Sequence, residues 1–283
     1  MDDSFENINS KNLDDALDKL SKHLVEKERI QPISFSNFLE LTVEDPDSIF
    51  RDIFQVFYDM VHFYVKEHKE RRKNLFTESY FKNYKCYPLL QEGCDNPFFA
   101  DRLFANRFMN LVNGFKDGTR TNQIVLFDGP PGSGKSTFLN NLLHKLEDYT
   151  KTNNGSMYST YWKLDVEKLS GHTASLKMIE SVKNDENIFT TSNEKYLEFL
   201  CPSHDHPILL IPKEYRKTFI DNLIQDKKVK NKLFNDKQYE WIFNEVPCSI
   251  CKSLYNVLLD KLENTTAVYK MVNAKKMRFN RQF

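Results

Sequence analysis

Gly129, Gly134, Lys135 and Ser136 stand in the spacing G-x-x-x-x-G-K-S/T within FDGPPGSGKST, Phe127–Thr137. That pattern is the phosphate-binding loop. Backbone N–H groups must converge on an anion, which requires turns and close approaches that side chains would block. Gly132 and Gly134 supply that freedom. Lys135 is the candidate catalytic group, its ammonium placed on the β- and γ-phosphates, and Ser136 offers its hydroxyl to Mg²⁺. Pro130, Pro131 and Ser133 complete the loop, and Thr137 adds a donor at the start of the following helix.

A second set of residues has metal-ligand spacing. CPSHDH gives Cys201-x-x-His204, with His206 as an alternative ligand, and PCSIC gives Cys248-x-x-Cys251. Two ligands on each of two short turns complete a tetrahedral site, so Cys201, His204, Cys248 and Cys251 are candidate ligands for one structural Zn²⁺, in an element running from 201 to 251. The competing readings are inert buried thiols and a redox pair. Cys86 and Cys94 have no matching histidine.

These groups need elements to position them. Gln123–Asp128, QIVLFD, reads as a buried strand leading into the loop, and Ser136–Tyr149 reads as a helix with Phe138, Leu139, Leu142, Leu143 and Leu146 on one face. Upstream, apolar residues between Leu13 and Val25 fall at helical spacing. A short helix is expected from Ser34 with Phe35, Phe38, Leu39 and Leu41. Asp45 is then an N-cap with Pro46 at the first helical position, and Ile49, Ile53, Phe57, Met60, Val61 and Tyr64 form one stripe. The charged tract Lys66–Asn74 reads as a solvated helix end. Five of the eight glycines lie between Gly114 and Gly134. The expected division is a helical region over 1–95 and a nucleotide-binding α/β domain over 96–283.

Hydrolysis needs an acidic residue at a strand end to hold the Mg²⁺ shell. Asp165 closes the plausible strand TYWKLD, and Asp260 lies in NVLLDKLE, whose apolar spacing is helical. Neither has the apolar run followed by paired acids that this role requires.

Composition bounds the remaining classes. With 40 Lys+Arg against 40 Asp+Glu in 283 residues, no global field draws the chain to nucleic acid or to an anionic membrane. The acidic start MDDSFENINS is no secretory signal, and no apolar run is long enough to cross a bilayer. The expected compartment is the cytoplasm, where five cysteines favour thiols or metal ligands over a disulfide framework.

The order ISFSNFLELTVEDPDSIFRD, FDGPPGSGKST, CPSHDHPILLIPKEYR, CSICKSLYNVLL and KMRFNRQF resembles the AAA+ region of the PrkA-type serine protein kinases over most of the chain. The resemblance implies a parallel-sheet AAA+ ATPase module behind an N-terminal helical segment, with ATP and Mg²⁺ at Gly129–Thr137. A protein substrate or partner is implied, and AAA+ analogy adds a homo-oligomeric ring. Leu103-Phe104-Ala105 matches an adenine-side aromatic and glycine, with Ala105 departing from the pattern. The stretch His62–Asp95 is expanded and carries no family motif. Proteins of this family continue beyond the position of Phe283 into the acidic metal-holding (Walker B) strand and a kinase-associated region. The expectation is therefore a module truncated before that strand, which binds ATP and turns it over slowly. The alternatives are a small-molecule or polynucleotide kinase and a non-catalytic, nucleotide-dependent interaction module.

Overall fold

The computed structural model describes residues 31–68, 82–116, 124–169, 189–193 and 195–280. The helical face expected over Leu13–Val25, and the charged tract beyond His68, lie outside the described residues.

Helix caps set the first elements. Ser34 accepts the Asn37 N–H at 3.2 Å and starts helix α1, Phe35–Glu44, which buries Phe35 and Phe38. Asp45 caps the next turn as expected, with Pro46 at its first position, but that turn ends at Ile49. Asp52 and Gln55 then form a reciprocal capping box at 2.7 and 2.9 Å and start a separate helix α2, Ile53–Tyr64. The single stripe expected from Ile49 to Tyr64 is thus broken in two. Arg51 fixes the break: its guanidinium bonds Ser48 O, pairs with Asp59 at 2.9 Å and reaches Asn154 O and Ser156 O.

Three more helices matter for the sites: α3, Arg102–Lys116; α4, Lys135–Thr150; and α5, Lys213–Leu223. A fourth, α6, is Ser249–Leu262. Five strands make one sheet in the order β1 (Ile33–Ser34), β7 (Val272–Met277), β4 (Met157–Asp165), β6 (Tyr196–Leu200), β5 (Phe189–Asn193). Strands β2, Lys66–His68, and β3, Asn83–Lys85, pair as a separate ribbon.

The chain is mixed α/β, but every pairing in the five-stranded sheet is antiparallel. The expected parallel sheet is therefore not supported. Both hydrogen-bonding edges of β4 are taken, by β7 through Thr160↔Ala274 and by β6 through Trp162↔Phe199. The predicted strand is not formed over Ile124–Asp128, where Ile124 is 99% and Leu126 86% exposed. No helix among the described residues is long and apolar enough to cross a membrane.

Two apolar cores result. The larger packs the sheet around Trp162 with Phe38, Phe50, Ile208, Ile220 and Leu258. The smaller joins α2, α3 and α4 through Val56, Met60, Leu89, Met109, Val112 and Phe138. Each core draws residues from both sides of Asn96.

Candidate functional site

The glycine loop expected to bind phosphate is a tight turn delivered onto the first turn of α4. Ser133 N–H donates to Pro130 O at 3.2 Å, and Gly132 and Gly134 take φ values of 79° and 80°. Gly134 caps α4 in the left-handed conformation, which a side chain there would strain. A Cβ at Gly134 would also lie 3.1 Å from the Phe98 ring, a tight contact that the ring would have to yield to.

Phe138 anchors that first turn. Its ring is met by Phe98 at 5.3 Å, Phe104 at 5.0 Å, Phe108 at 5.3 Å and Phe127 at 5.3 Å between centroids. Phe127 thus docks the loop's leading residue by its ring, not by strand pairing. Aromatic contacts of this kind contribute about 0.5–1.5 kcal/mol each beyond area burial. Along the same face Asn141 bonds Leu90 O and Asn96 O, and Lys145 bonds Glu92 O at 2.7 Å. The buried stripe of α4 is therefore Phe138, Asn141, Leu142, Lys145, Leu146 and Tyr149, while the expected Leu139 is exposed. Ala105 is buried in α3 and Phe104 sits in the aromatic nest.

Lys135 turns back into the loop. Its Nζ donates to Gly129 O at 2.7 Å, Pro130 O at 2.9 Å and Ser133 Oγ at 3.2 Å. All three acceptors are neutral. Ser136 is exposed and Thr137 half-buried on the adjoining turn. Four or so unpaired N–H groups at a helix start, with the positive end of its dipole, favour a phosphate there.

The acid candidates are placed plainly. Asp165 does end β4, but its carboxylate accepts the Lys168 N–H at 3.4 Å and pairs with Lys168 Nζ at 3.3 Å. Asp260 is exposed on α6, as its spacing predicted.

The cysteine turns lie in the other core. Cys201, Cys248, Cys251 and Asp205 have ligand atoms within 4.8 Å of one another. His204 is not among them. It is exposed with φ 54°, and its N–H closes a turn onto Cys201 O at 3.0 Å, which swings Asp205 back over Cys201. His206 is also taken elsewhere, its Nε2 on Ile49 O at 3.1 Å and its Nδ1 accepting from Ile208 N. Burial pushes His206 down to about 4, which keeps it neutral.

Long-range bonds hold the two turns in place. Thr160 of β4 donates its N–H and hydroxyl to Asp205 O at 2.8 and 2.9 Å and accepts from Cys201 N at 2.9 Å. Asp205 Oδ2 in turn accepts the Cys248 N–H at 2.7 Å. Arg216 of α5, with no exposed surface, bonds Leu209 O, Ile211 O, Ile242 O and Glu245 O, clamping the segment after the first turn to the segment before the second. A hydrogen bond from the Cys251 thiol holds Cys201 down at about 7 and correspondingly raises Cys251.

Sequence reasoning missed Asp205, Thr160, Arg216 and Phe98. Asp205 was adjacent to the motif and carried a ligand type. The others act through contacts that no local spacing reveals. Cys86 is buried in the smaller core, where burial pushes its thiol up to about 11. No family model matches the sequence, and neither a curated protein nor a solved structure matches it.

Proposed function

We propose that this chain binds Mg²⁺–ATP at Gly129–Thr137, as a nucleotide-binding module whose loop and following helix, but not its sheet, resemble the PrkA-type AAA+ region. The observation that carries the reading is the loop itself. Two left-handed glycines deliver a lysine with only neutral loop acceptors onto the start of a 16-residue helix. On this reading Lys135 moves from the loop carbonyls to the β- and γ-phosphates, and Ser136 contributes its hydroxyl to the Mg²⁺ shell. The N–H groups around Gly132–Ser136 cradle the remaining phosphate oxygens.

Turnover on this reading is slow. The acid nearest to the required role, Asp165, is engaged by Lys168, and a carboxylate spent on a local turn does not polarise water. Binding then acts through conformation, and a protein substrate or partner reads out the nucleotide state. A phosphoryl transfer to a small acceptor has no specific support among the described residues.

Calorimetric titration of Mg²⁺–ATP into wild type and Lys135→Ala tests the proposal. Loss of a charge-assisted phosphate contact worth about 1.5–3 kcal/mol weakens binding roughly tenfold or more. Equal affinity in the two proteins would remove Lys135 from the site. Rapid ATP turnover by the wild-type chain would instead show that a metal-holding acid operates.

A further inference from the structure

We propose that Cys201, Cys248, Cys251 and Asp205 bind one zinc ion, with Asp205 as the fourth ligand in place of His204. The inference stands on the cysteine region alone and does not depend on nucleotide binding.

The geometry comes first. Cys201 Sγ and Cys248 Sγ are 3.7 Å apart. Two thiolates on a tetrahedral zinc with Zn–S bonds of about 2.3 Å are separated by about 3.8 Å. A disulfide needs its sulfurs at about 2.05 Å, far closer than this pair. All four ligand atoms lie within 4.8 Å of one another, so small side-chain adjustments close them on one centre.

The surroundings fit thiolates. Each sulfur receives its own N–H donor: Asp205 N to Cys201 Sγ at 3.3 Å, Cys251 N to Cys248 Sγ at 3.4 Å, and Trp162 Nε1 to Cys251 Sγ at 3.3 Å. Such outer donors orient metal-bound ligands and stabilise their negative charge. Asp205 uses Oδ2 for the Cys248 N–H, leaving Oδ1 for a cation. Cys201 and Cys251 have no exposed surface, and gathering three thiolates and a carboxylate there is costly without a compensating cation.

The donor set selects the metal. Soft thiolates favour zinc, copper(I) or iron–sulfur centres, and a single carboxylate with three thiolates completes a closed tetrahedral zinc site. A closed site has no position for substrate, so its role is structural. It ties the end of β6 to the start of α6, across 47 residues of chain. Because Thr160 and Arg216 already hold both turns, the site is largely preformed.

The test uses the full chain, purified in reductant without chelator. Metal analysis is expected to give one zinc per chain. Cobalt(II) substitution is expected to give tetrahedral d–d bands with thiolate charge transfer. His204→Ala, a surface change, keeps both signals. Asp205→Asn lowers zinc affinity at least about tenfold, since even outer-shell partners of metal ligands are worth about 10–100-fold. Cys248→Ser weakens zinc further. The proposal is overturned by wild-type protein that takes up neither zinc nor cobalt. It is equally overturned by a mass two hydrogens lighter with no metal, which marks a disulfide, or by His204→Ala losing zinc while Asp205→Asn retains it.

Discussion

The glycine loop at Gly129–Thr137 and the cysteine cluster are built in opposite ways. The loop is one contiguous stretch, open to solvent, with its function-bearing atoms set by local backbone geometry and one helix start. The cluster is assembled from turns 47 residues apart, sits in the sheet core, and depends on Thr160 and Arg216, which belong to neither turn. Exposed backbone donors suit a ligand that comes and goes, whereas buried side-chain donors suit an ion that stays. The two sites also rest on different cores, so damage to one should leave the other measurable.

The largest expected effect breaks the cluster's frame. Arg216→Met leaves the buried carbonyls of Leu209, Ile211 and Ile242 without this donor, and each unsatisfied group costs about 1–3 kcal/mol, so the loss is on the order of 5 kcal/mol. Urea denaturation should show it, together with loss of bound zinc. Next comes the loop's anchor. Phe138→Ala empties the centre of the aromatic nest and should cost about 3–5 kcal/mol. Mg²⁺–ATP binding should weaken while zinc content holds. If Phe138→Ala released zinc, the two regions would be one cooperative unit and the comparison would fail.

A smaller effect is pH-dependent and confined to the sheet core. Burial lowers His206 in the folded chain to about 4, against about 6.5 when unfolded. Between those values the unfolded state binds the extra proton, so stability rises with pH. The contribution is fully present above about pH 6.5 and is lost as pH falls towards 4. Between pH 7.5 and 5 the loss is about 2 kcal/mol. His206→Gln should flatten that slope; an unchanged slope would mean that His206 does not titrate in this way. The smallest effect is at Gly134. Gly134→Ala places a side chain at φ 80° and against Phe98, costing about 1–2 kcal/mol, with weaker ATP binding as its sharper readout.

How much was legible in the sequence follows the same division. Caps and turns were readable because their cause is local: Asp45 caps where expected, the helix expected from about Ser34 begins at Phe35, and the helix after the loop forms. The capping box at Asp52 was also written in the sequence, in the Asp52–Gln55 spacing, but a continuous apolar stripe concealed it. Sheet direction was not legible. The apolar run Ile124–Phe127 has strand composition, yet it pairs with no strand, because pairing depends on long-range partners that local composition does not encode. Among the ligand candidates, Cys201, Cys248 and Cys251 came together as their spacing suggested. A left-handed backbone at His204 exchanged it for Asp205, a choice that spacing does not encode.

The central claim is that phosphate binds at Gly129–Thr137, and residue-resolved amide NMR tests it most directly. Adding Mg²⁺–ATP to the labelled chain is expected to shift the amides of Gly132, Ser133, Gly134, Lys135 and Ser136 most, with adenosine alone leaving them in place. Lys135→Ala should abolish those shifts. Shifts that map away from this loop, or that adenosine reproduces in full, would contradict the account.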